Sequence, residues 1–106
     1  MSMHSNSHLG ISLAAMTHLA AAVPNLTYAC DTHYPWQHEE IIVGGKLQFD
    51  DGSLAVPEGP GLGVELDREA LARMHEQYLA SGLTRRDDEI EMQKVEPGWA
   101  YRRPRW

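Results

Sequence analysis

Between Met1 and Cys30 there is no Asp, Glu, Lys or Arg. A helix on a protein surface normally shows charge on its outer face, so this stretch does not read as an ordinary solvated element. The 106-residue chain has a single cysteine, Cys30, which excludes an internal disulfide framework and fits a reducing compartment, with the cytoplasm as the default. No apolar run reaches the roughly 20 residues that cross a bilayer. Ile11 to Val23 is interrupted at Thr17-His18, and nothing basic precedes it as a signal peptide requires.

Basic residues are also scarce: nine Lys and Arg against fifteen Asp and Glu give a net charge of -6, which argues against nucleic acid or an anionic membrane as partner. Arg102, Arg103 and Arg105 lie in a short C-terminal tail that reads as a solvated end. The glycines of Pro57 to Gly63 lack the Gly-Lys-Ser/Thr of a phosphate loop. No Ser-His-Asp motif or catalytic carboxylate pair anchors a hydrolase. His4 and His8 have the spacing of two helical metal ligands, but no Cys or His-Glu-x-x-His pattern supports zinc.

The length fits one small domain with one core. Leu9, Leu13, Met16, Ala20 and Val23 form the apolar stripe of a helix over Leu9 to Val23, and the opposite face holds Ile11, Ala14, Ala15, His18 and Ala22. A helix apolar or small all round expects neighbours on more than one side. Leu26 to Cys30 reads as a short buried strand, with Cys30 buried in it, leading to Asp31-Thr32-His33. Polar turn, helix and strand in this order make a piece of a β/α repeat, whose polar residues gather at the C-terminal strand ends. That placement puts His4 and His33 on one rim.

Ile41 to Val43, Lys46 to Phe49 and Ser53 to Val56 read as short strands, with Asp51-Gly52 as a hairpin turn and Leu47, Phe49, Leu54 and Val56 facing a core. Asp67 is a helix N-cap for Arg68 to Ser81, with Gly82 as the stop. Arg85-Arg86-Asp87-Asp88 reads as a turn-like charge cluster. His4-Ser5-Asn6 combines a titratable base, a hydroxyl and an amide ahead of a helix N-terminus, an arrangement suited to a carboxylate. Its bland counterpart is that Ser5, Asn6 or Ser7 merely caps that helix.

Several stretches together resemble the C-terminal part of the bacterial glucarate dehydratases of the enolase superfamily, in its mandelate racemase and muconate lactonizing branch. They are His4-Ser5-Asn6-Ser7-His8, Asp31 to Gln37, Val56-Pro57 with Pro60 to Asp67, and Arg86-Asp87-Asp88 with Pro97-Gly98-Trp99. The resemblance implies an α/β plus α+β architecture. Residues 1–40 would supply the end of barrel strand 7, helix 7 and strand 8 of a modified (β/α) barrel. Residues 41–106 would form a hairpin, a Pro/Gly loop, a helix and a tail packing on the barrel and capping domain.

It implies a Mg²⁺-dependent lyase that removes the proton α to a carboxylate of D-glucarate and eliminates water, giving 5-dehydro-4-deoxy-D-glucarate. His4 would be the acid or base; His4, Ser5, Asn6 and His33 would contact substrate, and Arg86 would clamp a carboxylate. The lysine base, the Mg²⁺ ligands and the aspartate partner of the histidine would come from earlier strands. The chain thus reads as the last quarter of an enzyme, inactive alone, whose partners are an aldarate, the rest of the barrel and, when complete, further copies of itself. The alternatives are a small interaction module using the apolar N-terminal helix, and a non-catalytic relative of the dehydratases.

Overall fold

A computed structural model describes residues 1–103; Arg105 of the basic tail lies outside the described residues. Contacts gather the chain into two compact units, Met1–His75 and Glu76–Trp106. The first unit contains two small sheets and a long helix. Strand β1 (His4–Ser5) pairs in parallel with β2 (Asp31–Thr32), and helix α1 (Gly10–Ala22) crosses over between them. Strands β3 (Phe49–Asp50) and β4 (Ser53–Leu54) form an antiparallel hairpin. Asp51 and Gly52 supply its turn with φ of 44° and 72°, the left-handed pair that matches strand twist.

Helix α2 (Arg68–Ser81) begins as expected, the Asp67 carboxylate accepting from Ala70 N at 2.9 Å. The core of the first unit consists of Leu13, Ala14, Tyr34, Ile42 and Ala70. In the second unit, the charge cluster Arg85 to Asp88 is non-helical up to Asp87 and leads into helix α3 (Asp88–Val95), which was not expected. Asp87 caps it through Ile90 N at 3.2 Å, and Asp88, Glu89 and Glu91 in its first turn complement the helix dipole.

Other readings are corrected. The strand expected over Leu26 to Cys30 forms only afterwards, at Asp31–Thr32, because a strand exists by pairing and β1 offers two residues. Cys30 is only part-buried. Ile41 to Val43 is not a strand: Ile42 makes an isolated bridge to Leu66, and Gly44 and Gly45, with φ of 87° and 82°, turn the chain away. Phe49 and Val56 stay exposed instead of facing a core. Around α1 Gly10, Leu13 and Ala14 are buried, Ile11, Met16 and Ala20 are part-buried, and Ala15, Leu19, Ala21 and Ala22 are exposed among the described residues. His8 precedes α1, so His4 and His8 share no helix face.

Candidate functional site

The β1–β2 register sorts four polar side chains into two pairs. His4 stands opposite Asp31, and Ser5 opposite Thr32. Neighbouring residues of a strand point to opposite faces, so one pair is presented outward and the other is turned in. His4 Nδ1 lies 2.6 Å from Asp31 Oδ1, with both side chains largely exposed. An exposed pair of this kind adds little stability, typically about 0–1 kcal/mol. What it supplies is orientation: a carboxylate only accepts, so it favours the proton on Nδ1 and leaves Nε2 as the basic nitrogen.

Ser5 is almost completely buried, and its hydroxyl donates to Thr32 Oγ1 at 2.6 Å. Thr32 Oγ1 also accepts from Tyr34 N at 3.1 Å. This inner pair locks the short ladder and starts the turn that follows it. Asn6 is exposed in the bend after β1.

His33 precedes a 3₁₀ turn, η1 (Tyr34–Trp36), closed by Trp36 N donating to the His33 carbonyl at 3.0 Å. Its ring meets His4 edge-on, with centroids 5.7 Å apart and an interplanar angle of 82°. On its other side the Trp36 ring lies 5.3 Å away. His4, Asp31, His33 and Trp36 therefore form one continuous group, which confirms the juxtaposition of His4 and His33 expected from the strand ends.

Tyr34 anchors this turn from below. Its ring is fully buried, its hydroxyl donates to Glu40 and accepts from Leu47 N at 3.0 Å, and Lys46 Nζ sits 5.3 Å over the ring. Burial, reinforced by the hydrogen bond to Glu40, pushes the phenol up to about 12, so it remains a donor at any physiological pH.

Helix α1 is not capped by Ser5, Asn6 or Ser7. Its N-cap is Leu9, which has no capping side chain, and Glu40 Oε1 instead accepts from Gly10 N at 2.9 Å. The bland reading of the polar run as a helix cap is thereby excluded. An apolar cavity of about 220 Å³, lined by residues including Leu13, Met16, Ala20, Cys30, Phe49 and Leu54, has neither His4 nor His33 in its wall.

Arg86 belongs to the second unit, where its Nε donates to Asp88 Oδ1 at 2.5 Å. That hydrogen bond raises its already high pKa, so it is a permanent cation. Among the described residues no group of three or more His, Cys, Asp or Glu could hold a metal ion.

The model of the family described as "Enolase C-terminal domain-like" matches residues 1–70. The chain belongs to this family. The fold is thus the barrel-type enolase C-terminal domain, built here of mixed helices and small sheets. This enolase-family chain is 54% identical over 109 residues to a probable glucarate dehydratase of Streptomyces coelicolor, covering 100% of the chain and 25% of the relative. It is 40% identical over 62 residues to muconate cycloisomerase 1-1 of Acinetobacter lwoffii, covering 58% of the chain and 16% of the relative.

Among solved structures, an enolase of Gibberella zeae PH-1 complexed with magnesium, formate and sulfate matches with a TM-score of 0.84 and 60% identity, over 99% of this chain and 25% of that one. An enolase of Mycobacterium smegmatis complexed with tartrate matches with a TM-score of 0.83 and 63% identity, over 99% and 25% respectively. The chain spans about a quarter of the length of the glucarate dehydratase and of these two enolases.

Asp31 is the neighbour of His4 that sequence reasoning placed at a strand end without singling it out as the histidine's partner. The signal lay in the sequence: Asp31 and His33 flank Thr32, so pairing Ser5 with Thr32 brings both beside His4.

Proposed function

We propose that this chain is the C-terminal part of an aldarate dehydratase, a hydro-lyase whose substrate is D-glucarate and whose product is 5-dehydro-4-deoxy-D-glucarate. The observation that carries the reading is the His4–Asp31 pair at the end of a parallel ladder, with His33 against it. Identity over the full chain to a probable glucarate dehydratase supports the substrate class. The first β/α unit would then be barrel strand 7, helix 7 and strand 8. Residues 41–106 would pack on the barrel and capping domain.

His4 Nε2 is the proton-transferring nitrogen. It exchanges a proton with the carbon next to the substrate carboxylate, or delivers one to the departing β-hydroxyl, which leaves as water. In the neutral ring, Asp31 holds the proton on Nδ1 and leaves Nε2 open to the substrate. His33 and Asn6 orient the hydroxylated chain. Ser5, expected as a substrate contact, contributes by locking His4 and Asp31 in register, because its hydroxyl is buried and its proton is committed to Thr32.

Magnesium would be held by residues supplied from the remainder of the barrel, together with a lysine base. Cytoplasmic residence and a homo-oligomeric complete enzyme belong to the same proposal. The test is turnover of D-glucarate by the complete chain, read as the keto-deoxy acid formed and as exchange of the α-proton with solvent. A complete chain that neither converts nor exchanges any aldarate would overturn the reading.

A further inference from the structure

One carboxylate ties together both halves of the histidine site. Glu40 Oε1 accepts from Gly10 N at 2.9 Å and from Ile41 N at 2.7 Å, and Glu40 Oε2 accepts from the Tyr34 hydroxyl. Gly10 opens the helix that follows His4, Ser5 and Asn6, and Tyr34 immediately follows His33. Tyr34 is fully buried, so its hydroxyl cannot exchange Glu40 for water without loosening the turn.

The approach of Glu40 to α1 is close by design of the local sequence. A Cβ on Gly10 would fall 2.9 Å from Glu40 Oε1 and 2.6 Å from Ile42 Cδ1, so only glycine leaves room for the carboxylate. Leu9, at the N-cap, offers no acceptor of its own, and the first turn of α1 contains no acidic residue. Glu40 is thus the group that satisfies a free N–H of this helix end and places negative charge at its positive pole.

We propose that Glu40 is a positioning residue that sets the spacing of His4 and His33 by clamping the start of α1 and the turn after β2 to one point. The proposal rests on reading His4 and His33 as the working pair. A carboxylate suits the task better than an amide. Three N–H or O–H donors converge on it, whereas glutamine has one acceptor oxygen and would turn an N–H towards one of them.

The experiment uses the complete chain and the variants Glu40→Ala, Glu40→Gln and Tyr34→Phe, each checked for native near-ultraviolet circular dichroism. With D-glucarate as substrate, Glu40→Ala is expected to lower kcat by about 10- to 100-fold, the scale of a small misplacement of reacting groups, with a smaller change in KM. Glu40→Gln and Tyr34→Phe should fall between it and the parent, and they carry the test if Glu40→Ala does not fold.

The second readout is the ring-proton NMR signals of His4 and His33, which should move in the variants while that of His75 stays in place. Folded variants with kcat within twofold of the parent, or with unmoved His4 and His33 signals, would overturn the proposal. If the parent converts no aldarate, it is the dehydratase reading that fails, and the ring signals then decide the role of Glu40 alone.

Discussion

Asp31 faces His4 as its register partner across a parallel ladder, with Oδ1 2.6 Å from Nδ1. The two residues are 27 positions apart, and the whole of α1 is spent in bringing them together. Replacing Asp31 by Asn in the complete enzyme removes the negative acceptor that favours the Nδ1–H tautomer. Turnover should fall by about 10²- to 10⁴-fold, the range for an impaired general acid or base, while the melting temperature changes little because the pair is exposed. Kinetics and thermal melts on the same sample check both parts.

His4→Asn is expected to lose turnover and α-proton exchange together by about 10²- to 10⁴-fold, because asparagine fills similar space without exchanging a proton near neutral pH. Near-normal turnover with an earlier melt would assign His4 a structural role.

His33→Asn should raise KM more than it lowers kcat, since its proposed task is to orient substrate beside His4. Steady-state kinetics of the two histidine variants side by side separate orientation from proton transfer.

Gly10→Ala forces a methyl to within 2.6 Å of the buried Ile42 side chain. Overpacking of this kind costs about 1–3 kcal/mol, measurable as a lower denaturant midpoint. Adding Ile42→Val removes the clashing Cδ1 and should recover part of that loss.

Tyr34 adds an alkaline limb to stability. Its folded pKa of about 12 lies above the ordinary value of 10, so the native state holds this proton more tightly than the unfolded chain. The stabilisation is complete below pH 10 and drains away as pH rises towards 12. Unfolding monitored against pH should show this loss in the parent and lack it in Tyr34→Phe.

The 106-residue chain by itself should turn over no glucarate and should bind a hydrophobic dye. Leu19, Tyr28, Val43 and Val56 are exposed large apolar side chains. Dye fluorescence and sedimentation test this, and a cooperative monomer that binds no dye would refute it.

Local chemistry was legible where one residue decides the outcome. Asp67 marks the start of α2, Asp51-Gly52 marks the hairpin turn, and the stripe of α1 gives its extent to within a residue at each end. The placement of His4 and His33 on one rim also followed from strand ends, and their rings meet there. Elements that depend on a partner were misread. The apolar run Leu26 to Cys30 has the composition of a strand, but it pairs with no strand among the described residues. Helix α3 was hidden because Arg85 to Asp88 reads as a charge cluster, although Asp87 is a good cap. Glu40 could not be foreseen as the cap of α1, since capping rules look a few residues upstream and this acceptor arrives 30 residues downstream.

That distant acceptor bears on the order in which the chain can become native as it is made. Helix α1 has 13 residues, and isolated helices of this length are marginal in water. Its own residues provide no side-chain cap, and none in its first turn is acidic. While the ribosome has not yet delivered residue 40, the start of this helix lacks the carboxylate that accepts from Gly10 N. The helix is therefore secured late, and a nascent chain halted before Glu40 would present an unanchored apolar helix, a natural target for a chaperone.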